Sequence, residues 1–218
     1  MVSVDEACAE TGTAGRPDRR ALLVEAAREL FTERAYDEVT TSEIAKRAGV
    51  AYGLIAHHFT NKRGLYLATV NTAADRLRAV HEAPPTGDTP AAMLREGILR
   101  HIAFVEENVE GYFALMHGGS GSDPEVRAII EDFRWTAATR LMRMLGVQEP
   151  FRPVLRTAMH GWSGFMTESL IDYLRNSDLP REDLATLVVR ALIATLRAAH
   201  AIDAGIGISP RLIDELAS

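Results

Sequence analysis

The chain has 218 residues, a formal net charge of −6 at pH 7, 47% hydrophobic residues and 25% charged residues, a composition that excludes wholesale disorder. Its single cysteine, Cys8, excludes an intrachain disulfide and a metal site built from cysteines. No apolar run reaches the ~18 residues that a membrane-spanning helix needs, and the N-terminus lacks the positive start of a secretory signal. We therefore expect a cytoplasmic protein.

Basic residues are concentrated in one part of the sequence. Residues 16–80 carry eleven Lys and Arg against eight Asp and Glu, whereas residues 81–218 carry thirteen against nineteen. The two lysines of the chain, Lys46 and Lys62, both lie in the first of these segments. A basic segment ahead of an acidic body favours a head that faces a polyanion.

Caps, breakers and helical periodicity predict an all-α fold of about nine helices. Residues 1–17 are small and acidic, which predicts a disordered tail, and residues 118–122 predict a flexible loop. We expect Thr41 to cap the second helix and Gly49 to end it. The helices are expected at about residues 18–36, 41–48, 52–59, 62–82, 90–108, 110–117, 124–145, 150–176 and 180–204.

Residues 41–59 contain two short predicted helices joined at Gly49. Small Ala45 lets the two helices approach closely, and Ile44 and Ile55 lie at positions that can share a core. This is the helix-turn-helix pattern, in which the second helix lies in the major groove of DNA. A plain αα-hairpin in a helical bundle has the same pattern, so the pattern alone leaves both interpretations open.

The same segment contains a spaced set of residues: Thr40-Thr41, Ile44-Ala45, Ala48-Gly49-Val50, Gly53, and His58-Phe59 followed by Lys62. With this set, the segment resembles the N-terminal domain of the tetracycline-repressor (TetR) family. The resemblance covers residues 19–67 and implies a DNA-binding domain at residues 18–64, followed by an effector-binding and dimerisation domain at residues 65–218.

The resemblance also implies which side chains contact DNA. Thr41 and Lys62, each at a helix N-terminus, would contact phosphates, and Tyr52 would contact a base or the backbone. The alternatives are a structural role for a partly buried His58, an exposed aromatic without a role for Tyr52, and solvated surface positions for Lys46 and Lys62. The implied positions are Thr41, Lys46, Ala51, Tyr52, Gly53, Leu54, His57, His58 and Lys62.

The chain departs from the family's pattern at three positions. Ala51 stands where serine is common and Ala56 where tyrosine is common, and each change removes a hydrogen bond. Leu54 stands where a small polar residue is common, and its apolar side chain could contact a thymine methyl group. We therefore expect the operator to differ from those of well-known relatives.

Residues 83–218 show no pattern that supports an enzyme. Histidines 101, 117, 160 and 200 lie on separate predicted helices without metal-ligand spacing. The Gly161–Gly164 segment lacks GxSxG spacing, and the glycines at 118–121 lack the lysine of a phosphate loop. We expect no catalytic residue, no metal and no cofactor.

Bulky apolar side chains in the same region are the candidates for an effector pocket. The resemblance implies a pocket among the middle helices for a small hydrophobic effector, although the same residues could simply fill the core. Arg100, Arg134 and Arg156 could serve a strongly anionic effector, but their polar neighbours indicate a solvated face. The candidate pocket residues are Phe104, Tyr112, Phe113, Met116, His117, Phe133, His160, Trp162, Ser163, Phe165 and Met166.

The last predicted helix carries a stripe of apolar and small residues. By resemblance, two copies of it and of the preceding helix would pack as a four-helix dimer seam. The stripe consists of Leu184, Leu187, Val188, Ala191, Leu192 and Thr195.

Together these expectations describe a ligand-responsive regulator of transcription. The leading interpretation is a homodimeric repressor that a small effector releases from palindromic double-stranded DNA, with no membrane association. An activator of the same family is the first alternative. An all-α small-molecule carrier or enzyme without DNA binding is the second.

Overall fold

The computed structural model describes residues 18–109, 111–113 and 123–217. Within these residues the secondary structure is helical, as predicted, with nine α-helices and one 3₁₀ turn at Tyr36–Glu38. Residues 111–113 are also helical. The α-helices are α1 (Arg19–Glu33), α2 (Thr41–Ala48), α3 (Gly53–Phe59), α4 (Lys62–Glu82), α5 (Pro90–Glu107), α6 (Pro124–Met144), α7 (Pro153–Asn176), α8 (Arg181–Ile202) and α9 (Pro210–Glu215).

Helices α1, α2 and α3 form a small head with its own core. On α1 the buried side chains Leu23, Ala27 and Leu30 follow the spacing of one helical face. They pack with Ile44 of α2 and with Ile55 of α3. The head therefore buries one side of each short helix and leaves the other side to solvent.

Helix α4 joins the head to the larger body. Asn61 caps its N-terminus by accepting from the Gly64 amide at 2.9 Å. Its first turn packs Leu65 into the head core, and further along Ala74 and Leu77 pack into the body core. One continuous helix of 21 residues thus contacts both cores.

Helices α5, α6, α7 and α8 build the body around a single apolar core. By length and composition, α8 is the one described helix that could cross a membrane. Its Leu184, Leu192 and Leu196 are instead almost fully buried against the other body helices. This packing explains the apolar residues on the core side of α8.

Several expected boundaries were wrong. Thr40, not Thr41, caps α2, because its hydroxyl accepts from the Glu43 amide at 3.2 Å. Helix α1 ends at Glu33 rather than near residue 36, and α7 begins at Pro153 rather than at residue 150. Since residues 150 and 153 are both prolines, either could occupy the first turn of a helix.

Helix α9 was missed. It is only six residues long, too short for a periodic signal. Ser209 caps it, and Ile213 and Leu216 pack into the body core. The predicted tail at residues 1–17, the loop at 118–122 and all of the helix at 110–117 except residues 111–113 lie outside the described residues.

Candidate nucleic-acid interface and effector cavity

The turn between α2 and α3 depends on Gly49. This residue has φ +65° and ψ +32°, a left-handed conformation that a residue without a Cβ adopts at little cost. Its amide donates to the Ala45 carbonyl, as does the amide of Val50 at 3.1 Å. The expected end of α2 at Gly49 is confirmed, and the turn fixes the angle at which α3 leaves.

The outer face of α3 is open to solvent. Because Ile55 and Phe59 are buried in the head core, the opposite side presents Gly53 and His57, and Tyr52 just before the helix is 60% exposed. These exposed positions were among those expected to contact DNA. A short, rigidly packed helix with one free face has the dimensions that a major groove accepts.

Tyr52 and Thr41 lie side by side on this surface. The Thr41 hydroxyl lies 3.3 Å from the Tyr52 hydroxyl, within hydrogen-bonding distance. Two residues that sequence analysis selected separately are therefore in contact. Their hydroxyl groups lie at the junction between the N-termini of α2 and α3.

Lys62 is held in place by aromatic residues. Its ammonium nitrogen lies 4.2 Å from the centroid of the Tyr36 ring, a cation–π contact, and Tyr36 in turn stacks on Phe31. Lys62 is half-buried at the first position of α4. The contact fixes the direction of the lysine without neutralising its charge.

The neighbouring arginines of the head are paired with acids. Arg47 forms ion pairs with Glu29 and Glu33, whereas the adjacent Lys46 is exposed. Arg63 pairs with Asp123, the cap of α6, at 2.6 Å, and also with Glu125. These pairs leave Lys46 and Lys62 better placed to meet a polyanion than Arg47 or Arg63.

Two of the expected DNA-contacting side chains are partly withdrawn from the surface. Leu54 packs partly against the head core, and half-buried His58 lies with its ring centroid 4.8 Å from that of His57. Ala51 is exposed in the turn. The arrangement favours the structural alternative for His58 and a role for Leu54 in packing α3.

The body contains a cavity of about 160 Å³ between α4, α5, α6 and α7. Its walls are mainly apolar, and five of the expected pocket residues line it. Tyr112, Phe133 and Trp162 are buried there, and the Trp162 indole donates to the Val188 carbonyl at 3.1 Å. The five lining residues that sequence analysis selected are Tyr112, Phe133, Trp162, Ser163 and Met166.

Four other expected pocket residues that the structure describes do not line this cavity. Phe104 and Phe113 pack against the body core elsewhere, and Phe165 is 40% exposed on the outer side of α7. His160 is exposed and stacks on Trp135 with ring centroids 4.6 Å apart. Met116 and His117 lie outside the described residues.

A pair of histidines forms part of the cavity wall. His81, near the end of α4, and His101 of α5 approach to 2.8 Å between Nε2 and Nδ1. Burial lowers the pKa of His81 to about 4, with Arg140 and Arg100 adding electrostatic repulsion, and burial lowers the pKa of His101 to about 3. Both imidazoles are therefore neutral at neutral pH.

Three arginines also line the cavity. Sequence analysis considered Arg100 and Arg134 for an anionic effector but expected them on a solvated face, which was wrong, and it did not select Arg140. Each arginine lies on a helix that also supplies lining residues to the cavity. A search of the sequence for apolar residues at helical spacing does not select a charged residue among them. An arginine buries its stem along apolar surface while its guanidinium reaches a polar rim, which explains the error.

The expected dimer stripe divides between two faces of α8. Leu184, Val188 and Leu192 are at most 1% exposed and belong to the subunit's own core, so their assignment to the seam is corrected. The stripe contained both faces because leucine and valine are equally suited to either. Leu187 is 48% exposed, and Ala191 and Thr195 are partly exposed on the other face.

The fold, a helix-turn-helix head on a helical body, defines a class of helix-turn-helix proteins. Comparison with known proteins identifies the family. A model described as "Bacterial regulatory proteins, tetR family" matches residues 23–69. A second, described as "Tetracyclin repressor-like, C-terminal domain", matches residues 90–195. The chain belongs to the TetR family of bacterial regulatory proteins.

Solved structures support the fold over nearly the whole chain. A tetR-family transcriptional regulator from Streptomyces coelicolor has a TM-score of 0.76 and 29% identity, over 93% of this chain and 90% of that chain. FadR from Bacillus subtilis, solved in complex with stearoyl-CoA, has a TM-score of 0.58 at 20% identity, over 80% of this chain and 96% of that chain. The FadR likeness shows the fold alone.

Among curated proteins, the chain is similar to the HTH-type transcriptional activator FasR of Mycolicibacterium smegmatis. The two are 32% identical over 117 residues, which is 53% of each chain. The chain thus spans about half the length of this relative.

Proposed function

We propose that the protein is a homodimeric, ligand-responsive repressor of transcription that binds a palindromic operator in double-stranded DNA. The observation that carries the proposal is the free outer face of α3, where Tyr52, Gly53 and His57 are exposed beside the Thr41 hydroxyl. Membership of the TetR family supports it. A regulator of this kind acts in the cytoplasm, where it meets DNA.

In the proposed complex, α3 enters the major groove and Lys62 and Lys46 meet phosphates. Tyr52 reads base edges or the adjoining backbone, with the Thr41 hydroxyl beside it. Phosphate contacts supply affinity for any sequence, whereas Tyr52 and His57 supply the choice of sequence. Asn61 and Tyr36 position Lys62 for its contact.

The dimer would form through the outer faces of α7 and α8. Phe165 and Leu187 are large apolar side chains that remain 40% and 48% exposed, and exposed Gly161 and Ala194 permit close helix approach. A two-fold axis through this face gives two heads that read half-sites ~34–36 Å apart, which implies a palindrome. The effector would occupy the cavity beside α4.

An activator remains the alternative, and one relative, FasR, is named as an activator. Both functions need the same DNA contacts. Deletion of the gene followed by a reporter assay of the bound promoter separates them, because loss of a repressor raises expression and loss of an activator lowers it.

Selection of bound sequences from random double-stranded oligonucleotides tests the proposal. We expect a palindrome whose half-sites lie one helical turn apart. Tyr52→Ala should lose the sequence preference. Lys46→Ala should weaken binding to all sequences and reduce the slope of log affinity against log salt by ~0.9 per lost phosphate contact.

Arg211→Ala is the control, because it removes another exposed cation, from α9, far along the chain from the head. It should bind DNA as the wild type does. An equal loss of DNA affinity in Lys46→Ala and Arg211→Ala would show that the effect depends on overall charge and not on a contact made by Lys46. Selection that returns no consensus would remove the regulator proposal and favour a carrier.

A further inference from the structure

We infer that the cavity binds an amphiphile with an anionic head, whose apolar part lies among Phe133, Trp162 and Met166 and whose oxyanion lies against Arg100 and Arg140. This inference rests on the proposed function, because it names the chemical class of the effector. It adds an anionic head to the small hydrophobic effector expected from the sequence.

The apolar part of the cavity would accommodate a hydrocarbon chain or ring. Ile98 and Phe133 are buried, and Met166 and Leu141 line the same space. Burial of an apolar group here removes its surface from water, which favours binding. Such walls alone would not choose between a neutral and a charged ligand.

The charged groups of the wall favour an anion. Arg100, Arg134 and Arg140 line the cavity, and no Asp or Glu occurs among the described residues that line it. An acidic body with a net negative charge therefore presents a cavity of net positive charge. Electrostatic complementarity selects the sign of the ligand.

Arg100 and Arg140 converge on the end of α4. The Arg140 Nη2 donates to the Glu82 carbonyl at 3.2 Å, and the Arg100 Nη1 donates to the Pro84 carbonyl at 3.3 Å. These carbonyl contacts place both guanidinium groups at the end of α4, and Arg140 has no ion-pair partner among the described residues. Arg100 forms a long ion pair of 3.8 Å with one carboxylate oxygen of Glu96, whose other oxygen accepts from the Thr86 and Gly87 amides, so the charge of Arg100 is only partly compensated.

Arg100 also has an unused donor. Its Nε is buried and has no hydrogen-bond partner, although a buried donor without a partner costs free energy. A guanidinium offers two parallel N–H groups to a carboxylate or a phosphate. An oxyanion in the cavity would satisfy the donor that the protein leaves open.

The histidine pair provides a polar contact for the same ligand. His81 Nε2 and His101 Nδ1 share one proton, so the two outer nitrogens carry one N–H and one lone pair between them. The tautomers can exchange these roles. The pair can therefore accept from a hydroxyl or donate to a carbonyl at the junction between head and tail of the ligand.

Four ligands with the same ten-carbon tail test the inference: decanoate, decyl phosphate, decanol and decylammonium, each below its critical micelle concentration. Fluorescence of Trp162 reports binding in a Trp135→Phe background, because Trp135 does not line the cavity and the chain has two tryptophans. We expect decanoate or decyl phosphate to bind at least tenfold more tightly than decanol, and decylammonium not to bind. The ratio of the affinities for decanoate and decyl phosphate shows whether the cavity prefers a carboxylate or a phosphate head.

Arginine variants locate the contact. Arg100→Gln and Arg140→Gln should each weaken binding of the preferred anion about tenfold or more and leave decanol unchanged, because a hydrogen bond to a charged group is worth that much. Arg156→Gln removes an exposed cation outside the cavity. It should change neither the binding of the anion nor the binding of decanol. Unchanged decanol binding also shows that each variant remains folded.

Equal binding of decanol and decanoate, binding of decylammonium, or no binding of any of the four would overturn the inference. DNA release is measured separately on the selected operator. A neutral ligand that binds as tightly and releases DNA would contradict the anionic class and leave the regulator standing. A preferred anion that never alters DNA affinity would support the cavity chemistry and contradict its regulatory role.

Discussion

In both the head and the body of this protein, the net charge is a poor guide to the charges at the candidate site. The head is the basic segment, yet Arg47 and Arg63 are neutralised by ion pairs, whereas Lys46 is exposed. The body is acidic, yet Arg100 and Arg140 line a cavity that has no carboxylate among its described lining residues. Net charge counts residues, whereas function depends on which charges remain uncompensated at a surface.

The two regions also differ in how their sites are assembled. The α3 face comes from residues close together in the sequence, and its partner Thr41 is only eleven positions from Tyr52. The cavity combines residues from His81 on α4 to Thr167 on α7. A contiguous site has a sequence pattern, whereas a dispersed site depends on packing that no local pattern encodes.

We expect the largest effect on stability from substitutions on the two faces of α8. Leu192→Ala should lower the free energy of unfolding by roughly 2–5 kcal/mol, because it leaves a cavity in the body core. Leu187→Ala should change subunit stability little and weaken the dimer, since Leu187 is 48% exposed. Urea unfolding and sedimentation equilibrium measure the two quantities.

If Leu192→Ala dissociated the dimer without loss of subunit stability, the division of α8 into a core face and an outer face would be wrong. Leu187→Glu is a stronger version of the second variant. It should give folded monomers that fail to bind a palindromic operator.

The second prediction concerns the tight contact between α3 and α4. A Cβ at residue 64 would collide with the carbonyl oxygen of Phe59, so Gly64→Ala should destabilise the head by ~3 kcal/mol. Gly53→Ala is the control, since its Cβ would meet nothing within 4 Å. Hydrogen exchange of α1 to α3 should increase in Gly64→Ala alone, while Trp162 fluorescence in the body stays constant.

Equal protection of the head in Gly64→Ala and Gly53→Ala would show that the two helices can separate at little cost. The expected contrast does not depend on DNA. Loss of operator binding in Gly64→Ala would follow from it.

The helices of the head and the body were predicted mainly because local signals agree with the fold. Asp123 and Thr89 cap helices next to prolines, and both helices begin where expected. The cap of α2 was misplaced by one residue because Thr40 and Thr41 are chemically identical candidates. The difference lies in the reciprocal bonds between Thr40 and Glu43, a capping box whose Thr-x-x-Glu spacing was overlooked in the sequence.

The cavity was only half predicted. Phe133 and Trp162 were found because large apolar residues on middle helices tend to line internal spaces, but Phe104 and Phe165 satisfied the same criterion and lie elsewhere. His81 gave no signal, since nothing in the sequence places the end of α4 beside His101 twenty residues later. Tertiary contacts of this kind decide which residues meet.

The third prediction is a difference in acid sensitivity between body and head. The folded-state pKa values of His81 and His101 lie near 4 and 3, below the 6.5 of an ordinary histidine, so the unfolded chain binds more protons between these values. Stability of the body should therefore be fully present above pH 6.5 and decrease as the pH falls toward 4 and 3. Thermal unfolding followed by Trp162 fluorescence measures the decrease.

The head should respond at lower pH. The hydroxyl and amide of Thr40, with Arg34, lower the pKa of Glu43 to about 2 from its ordinary 4.5, so the contribution of Glu43 is lost only between those values. In His81→Gln/His101→Gln, the decrease between pH 6.5 and 4 should be smaller than in the wild type. An unchanged pH profile in that variant would show that the histidine pair does not govern acid sensitivity.

The smallest expected effect distinguishes two adjacent threonines in the head. Thr40→Ala should lower the free energy of unfolding by about 1 kcal/mol, because its hydroxyl caps α2 by accepting from the Glu43 amide and donates to the Glu43 carboxylate at 2.7 Å. Thr41→Ala should leave stability within about 0.5 kcal/mol of the wild type, since its partner is the exposed Tyr52 hydroxyl.

Operator binding should show the reverse order, because Thr41 lies on the outer surface with Tyr52. Urea unfolding and mobility shifts at fixed salt measure both variants, and a Thr41→Ala protein less stable than Thr40→Ala would place the cap of α2 at Thr41 after all.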